Sequence, residues 1–479
     1  LVVGLNPLHA LFAGDRERAS PYHPSDRRYL DPAYLDVMRL PGLAEAPEAR
    51  DALMRLANRF GELEARSSVD WRGVWQAKRI VLEAAFTAFG RRSAEDPLRQ
   101  RFERFVAEGG ETLARFATFE ALAEAHPSRP WPEWPAELRA PGSAHVVAFA
   151  QAHAVQVRYA MYLQWLCDRQ LGDAARAARA GGLEIGFYRD LAVGCAPDGA
   201  EAWSQPGLHA RGVSIGAPPD PFCRDGQVWT LPPPIPHALA GGGYAPFRAL
   251  MAANMRHAGA LRVDHAMGLA RLFWVPDGGT GLDGAYVAHP RDDLLGALAL
   301  ESARAGCLVV GEDLGTVPEG FREAMESAGI LSTRVLWFER DGRTFRAPAA
   351  WPAEAVACVS THDLPPLAGW WAGADIEERE ALGLVTAQAA LAEWQARSDD
   401  KRALCEAMAA AGLEAPDPDS PQPPLAAVHA FLAKTPSALQ LLQADDLAGE
   451  SVALNLPGTD RERDNWRRRV RVKSADLWT

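Results

Sequence analysis

The chain lacks most of what would commit it to a membrane, to nucleic acid or to an oxidising compartment. It has no apolar run approaching about 18 residues, so no membrane-spanning helix is expected. Basic residues number 50 against 62 acidic ones, and the net charge of −12 disfavours phosphate backbones and anionic lipid as partners. The six cysteines never fall at CxxC spacing, which removes the usual zinc and disulfide signatures. Cys195, Cys307 and Cys358 sit in apolar, strand-like runs and read as buried free thiols. That pattern fits a reducing cytoplasm. No basic segment followed by an apolar stretch marks a secretory leader. A phosphate loop ending in Gly-Lys-Ser/Thr is also missing, so Val309-Val-Gly-Glu312-Asp313 is not read as part of a nucleotide site. Gly241-Gly-Gly-Tyr244 and Gly278-Gly-Thr-Gly281 lack the strand-to-helix context of a dinucleotide motif and read as turns. No cluster of histidines and carboxylates suggests a catalytic metal, and no cofactor is expected.

What is present is a large apolar fraction, 48% of 479 residues, arranged in alternating strand and helix patterns. Strands are expected near 2–6, 184–190, 260–264, 307–311, 333–338, 355–360 and 451–455. Helical spacing dominates from 45 to 127 and from 144 to 171, then at 246–259, 291–305, 318–328, 375–413 and 425–433. The stretch 196–246, rich in Pro and Gly, reads as a long loop. Alternating β and α elements with buried strands are the mark of a parallel α/β fold. The expected class is a (β/α)8 TIM barrel with helical insertions. Seven strands are one short of closure, and Leu1-Val-Val-Gly4 already has strand character. The expectation is therefore a fragment, without the first strand and last helix.

Three of these runs end on carboxylates. They are Leu261-Arg-Val-Asp264, Leu308-Val-Val-Gly-Glu312 and Ala357-Cys-Val-Ser-Thr-His-Asp363. Parallel barrels carry their chemistry at strand C-termini. Retaining cleavage of a glycosidic bond needs two carboxyls about 5–5.5 Å apart, one nucleophile and one acid. Neighbouring strands lie about 4.8 Å apart, so Asp264 and Glu312 at adjacent strand ends satisfy that need. Asp363 would be a third carboxylate, placed to hold sugar hydroxyls. Arg262, two residues before Asp264, shares its face and would keep it ionised, although Arg-x-Asp is also an ordinary local salt bridge. His265 and His362 flank the outer carboxylates and suit hydrogen bonds to substrate oxygens, though a lone histidine is more often a core residue. Trp203, Trp229 and Tyr22 fall in loops, where an aromatic face suits a pyranose ring, whereas most of the 15 tryptophans are core candidates.

The motifs together resemble the 4-α-glucanotransferases (amylomaltases, or disproportionating enzymes) of the α-amylase clan. The resemblance rests on Val3-Gly-Leu-Asn-Pro-Leu-His-Ala10, Ser20-Pro-Tyr22, Tyr188-Arg-Asp-Leu-Ala-Val-Gly194, Gly216-Ala-Pro-Pro-Asp220, Gly226-Gln-Val-Trp229, Leu261-Arg-Val-Asp-His265, Gly311-Glu-Asp-Leu-Gly315, Thr361-His-Asp-Leu-Pro365 with Gly369-Trp-Trp371, and Asn455-Leu-Pro-Gly-Thr-Asp460 with Asn465-Trp-Arg-Arg-Arg469. It implies Asp264 as nucleophile, Glu312 as general acid/base and Asp363 as transition-state stabiliser. It implies sugar contacts at Arg262, His265, His362 and Asn455, with Tyr22, Asp220 and Trp229 at donor or acceptor subsites. The implied partners are maltooligosaccharides and starch- or glycogen-derived α-glucans, handled without metal or cofactor. The rivals on the same residues are an α-glucan hydrolase and a non-catalytic glucan-binding protein. The implied organisation is barrel at 1–40, a mainly helical insertion at 41–180, barrel with the catalytic strands at 181–372, a second helical insertion at 373–440, and the last barrel strand with a C-terminal segment at 441–479.

Overall fold

A computed structural model describes residues 1–219, 225–459, 462–474 and 476–477. Seven parallel strands make one sheet: β1 (Val2–Gly4), β2 (Gly186–Leu191), β3 (Ala260–Val263), β4 (Leu308–Gly311), β5 (Leu331–Val335), β6 (Ala355–Cys358) and β7 (Leu439–Leu441). Strand order in the sheet follows chain order, the winding of a parallel α/β barrel. Register across β2 and β3 sets Asp190 opposite Arg262 and Leu191 opposite Val263. The strands read as short apolar runs because a parallel sheet is covered on both faces. In β6 all four residues are buried.

The chain divides into two compact units, Leu1–Val309 and Val310–Thr479. In the first, five helices separate β1 from β2: α1 (Pro47–Glu64), α2 (Trp71–Gly90), α3 (Pro97–Ala125), α4 (Ala144–Ala152) and α5 (Ala154–Ala180). Their starts follow local chemistry. Asp70 accepts a hydrogen bond from the Gly73 amide, and Ser143 accepts one from the Val146 amide. Asp96 caps α3 just ahead of Pro97, whose fixed φ and missing N–H suit a first turn. The expected single helix over 144–171 is instead α4 and α5, broken at His153. Their shared core gathers tilted aromatic rings, with Phe89 4.9 Å from Tyr162 and 5.5 Å from Trp165.

The second unit has its own core, in which Trp337 and Trp370 stack at 4.2 Å. Leu404, Met408, Val428, Phe431 and Leu432 pack in the same cluster, supplied by the helices Ala387–Ala410 and Leu425–Leu432. No helix among the described residues is long and apolar enough to cross a membrane.

Two expectations about elements are corrected. The stretch 196–246 is not simply loop. Val213–Ala217 and Gln227–Val228 join Arg271–Pro276 and Ala285–Ala288 in a four-stranded antiparallel sheet. Ile215, Leu231 and Leu272 form its small core, so alternation of apolar residues overrides the prolines around it. The last strand of the parallel sheet is also misplaced by sequence reasoning. Leu439–Leu441 pairs with Val356–Cys358, whereas 451–455 forms no strand. The Ala453 and Leu454 carbonyls in that segment are taken by the Arg463 guanidinium, and the Trp466 amide also binds the Leu454 carbonyl. Backbone groups satisfied by side chains have no ladder left to offer. The last barrel strand thus begins inside the segment assigned to the second helical insertion.

Candidate active site

In the first unit the candidate site residues gather at the C-terminal ends of β2 and β3. Arg262 lies on β3 directly across from Asp190 on β2. Its Nη1 lies 2.9 Å from Asp190 Oδ1 and 2.8 Å from Asp264 Oδ1. One guanidinium therefore ties two carboxylates, and the Asp264 amide is fixed to the Leu191 carbonyl at 3.0 Å. An adjacent cation favours the ionised carboxylate and restricts its direction. Tyr22 donates its phenol hydrogen to the free side of Asp190 at 2.5 Å. Burial and the Asp190 charge push the Tyr22 phenol well above its ordinary value, so it serves as a donor.

His265 follows Asp264 with φ of 45°, the left-handed region, and its ring meets Trp229 edge-on at 5.1 Å. Burial pulls the His265 imidazole down to about 4, so it is neutral at ordinary pH. Trp229 donates its indole N–H to Gln227 Oε1 at 2.9 Å and is half-buried beside the Ile215 cluster. Tyr22, Trp229, Arg262, Asp264 and His265 thus all take part in local networks of this unit.

In the second unit Glu312 follows β4, and one of its carboxylate oxygens accepts the Leu314 amide at 2.8 Å. The neighbouring Asp313 is fully buried. It accepts from the Thr333 amide at 2.8 Å, Ser332 Oγ at 3.0 Å, Arg334 Nη1 at 3.1 Å and Arg322 Nε at 2.6 Å. These bonds pin the chain immediately after Glu312, where the Leu314 amide already binds its carboxylate. Past β6, Asp363 accepts from Asn455 Nδ2 at 2.6 Å and lies 3.3 Å from His362 Nε2. His362 in turn packs against Trp466, ring centres 5.5 Å apart. The sequence-predicted Asp363, His362 and Asn455 are brought together although 92 residues separate Asp363 from Asn455.

One expectation differs. Trp203 is no sugar platform: it is 1% exposed, donates its N–H to the Leu138 carbonyl at 3.0 Å and packs on Phe119 and Trp134. Helix α3 and the segment around 131–138 supply that pocket, which no local pattern around 203 reveals. Asp220 lies outside the described residues. The residue that sequence reasoning passed over is Asp190. It closes the run Gly186-Phe-Tyr-Arg-Asp190 just as Asp264 closes its own, so the signal of an acid at a strand end was available.

Among the described residues one trio has metal-ligand potential, Cys195, Glu201 and His209. Arg27 already holds both Glu201 oxygens, with Nη2 to Oε1 at 2.6 Å and Nε to Oε2 at 3.1 Å. A buried guanidinium fills the role a cation would take, and the trio reads as part of that ion pair.

A parallel α/β sheet wound in chain order, with acidic side chains at successive strand ends, defines the TIM-barrel class. The chain belongs to the family whose model is described as 4-alpha-glucanotransferase, which matches residues 1–474. It is 40% identical over 477 residues to the 4-alpha-glucanotransferases of Mycobacterium bovis and Mycobacterium tuberculosis, covering 97% of this chain and 65% of theirs. The 4-alpha-glucanotransferase of Haemophilus influenzae is 33% identical over 496 residues, covering 100% of this chain and 71% of that protein. The chain thus spans just under two thirds of the mycobacterial relatives. Among solved structures, amylomaltase from Corynebacterium glutamicum superposes with a TM-score of 0.86 at 35% identity, over 98% of this chain and 66% of that one. The amylomaltase of Streptococcus agalactiae, solved in complex with acarbose, shares the fold with a TM-score of 0.77 at 20% identity, over 99% of this chain and 88% of that one.

Proposed function

We propose that this chain carries the chemistry of a 4-α-glucanotransferase, moving α-1,4-glucan segments between maltooligosaccharides by a retaining double displacement. Asp264 attacks the anomeric carbon while Glu312 protonates the leaving oxygen, and a β-linked glycosyl-enzyme forms. Glu312 then takes the proton from the 4-hydroxyl of an acceptor glucan, which attacks and restores the α-1,4 bond. Asp363 stabilises the oxocarbenium-like state, and Arg262, His265, His362 and Asn455 hold hydroxyls of the reacting glucose. Tyr22 and Trp229 contribute to donor or acceptor subsites. Starch- or glycogen-derived α-glucans in the cytoplasm are the proposed substrates.

The observation that carries this reading is the bond from Arg262 to Asp264, within a chain of this family. A covalent nucleophile must be ionised and aimed, and a guanidinium braced by a second carboxylate, Asp190, supplies both conditions. The test is product analysis on maltotriose. A ladder of longer chains plus glucose supports transfer. Short sugars alone would reassign the chain as a hydrolase, and no turnover with retained glucan binding would reassign it as a binding protein.

A further inference from the structure

Tyr22 and His23 are consecutive, yet their side chains serve different parts of the candidate site. Tyr22 reaches Asp190, and through it the Arg262–Asp264 pair. His23 reaches the turn that carries Trp229. Its Nε2 lies 3.2 Å from Thr230 Oγ1, and its Nδ1 lies 3.1 Å from Arg18 Nη2. A guanidinium nitrogen only donates, so Nδ1 is the acceptor and the ring proton sits on Nε2. Burial, and after it the Arg18 charge, hold His23 below its ordinary value, in keeping with a neutral ring. The Nε2 hydrogen therefore goes to Thr230 Oγ1, whose own hydrogen goes to the Trp229 carbonyl at 2.7 Å. Arg18 is fixed in turn by both oxygens of Asp198, at 2.7 and 2.9 Å. The bonds run in one direction, from Arg18 on its Asp198 anchor to the backbone of Trp229.

Thr230 is the residue these bonds restrain. Its φ is 56°, in the left-handed region, which a β-branched residue rarely enters because Cβ crowds the following carbonyl. The residue is exposed, so packing does not impose that conformation. Its Oγ1 bonds to His23 and to the Trp229 carbonyl do. Beyond the indole, His265 is left-handed as well. Strained backbone persists where neighbouring bonds over-determine it, and here it flanks the contact between Trp229 and the residue after the proposed nucleophile. We propose that His23 is a positioning residue: through Thr230 it fixes the Trp229 indole against His265 and, on the reading of Trp229 as a subsite residue, sets how tightly glucan is held. Tyr22 then bears on the chemical step, and His23 beside it bears on binding.

The full chain labelled with 5-fluorotryptophan reports on the indole directly, its Trp229 signal assigned by loss in Trp229→Phe. His23→Phe keeps an aromatic ring and removes both nitrogens. It is expected to shift the Trp229 fluorine signal and to raise KM for maltotriose about fivefold, the worth of one hydrogen bond, with kcat changed by less than about twofold. His23→Gln keeps an acceptor for Arg18 and a donor for Thr230, and is expected to leave both the signal and KM near native. Adding Thr230→Gly to His23→Phe is expected to recover most of the loss, because glycine enters the left-handed region without a clash. An unmoved fluorine signal in His23→Phe, a fall in kcat in place of the rise in KM, equal losses in His23→Gln and His23→Phe, or no recovery in the double variant would each overturn the proposal. Should the chain bind maltotriose without turning it over, Kd takes the place of KM. The fluorine signal needs no glucan, so failure of the transferase reading is told apart from failure of the positioning role.

Discussion

Asp264 and Asp363 are both acids at strand ends, yet the molecule treats them differently. The Asp264 side chain is 18% exposed and tied to Arg262, which is itself tied to Asp190. The Asp363 side chain is 44% exposed and rests on Asn455 and on its own neighbour His362. The first arrangement is ionic, braced from an adjacent strand, and leaves the carboxylate one direction. The second hangs on a neutral amide and a loop histidine. Aim matters most for a group that must reach a carbon atom, because reacting atoms must sit within about 3–3.5 Å in line. A group that stabilises charge tolerates adjustment as substrate arrives. The difference in bracing matches the roles proposed for the two residues.

Substitutions test that contrast in descending order of effect. Asp264→Asn is expected to lower the rate of maltotriose disproportionation by about 10⁴-fold or more, because no covalent intermediate forms. Substantial residual transfer would move the nucleophile elsewhere. Glu312→Gln should lose about 10²–10⁴-fold on maltotriose, but much less in the first step of a glucoside with an activated leaving group, which needs no proton. Equal loss on both substrates would count against its role as acid. Asp190→Asn is expected to reduce kcat about a hundredfold with little change in KM, since Arg262 loses the brace that aims Asp264. A change confined to KM would make Asp190 a binding residue instead. Asn455→Ala should cost about fivefold or less, as befits an exposed contact to Asp363. A loss as large as that of Asp190→Asn would erase the distinction drawn above.

The smallest effect concerns stability rather than turnover. Burial pushes the Glu120 carboxyl up to about 8. A group whose folded value is raised stabilises fully below its unfolded value of 4.5, and that stability is lost as pH rises through about 8. Glu120→Gln cannot ionise, so its melting temperature is expected to match the native one at pH 5 and to exceed it at pH 9. The buried histidines act in the opposite sense. His209, His265 and His289 are held down to about 4 from 6.5, so the unfolded chain takes up protons first and stability falls as pH drops through that window.

Much of this was legible in order along the chain. Short apolar runs ending in Asp264, Glu312 and Asp363 announce the strands and the acids that follow them together, because burial on both faces forces the strand composition and a carboxylate ends it. Where the local pattern misled, the reason was a partner distant in sequence. Ser451-Val-Ala-Leu-Asn455 has strand composition, yet Arg463 occupies its carbonyls, and the less apolar Leu439-Gln-Leu441 takes the sheet position. Trp203 sits in a loop-like sequence but fills a pocket lined from α3.

The amino-acid order by itself therefore determined the parallel α/β class and which carboxylates close its strands, since both follow from side-chain type and spacing along one segment. Only the tertiary structure decided that Asp190 faces Arg262, that Trp203 is core and that Asn455 reaches Asp363, because each depends on strand register or on segments tens to hundreds of residues apart.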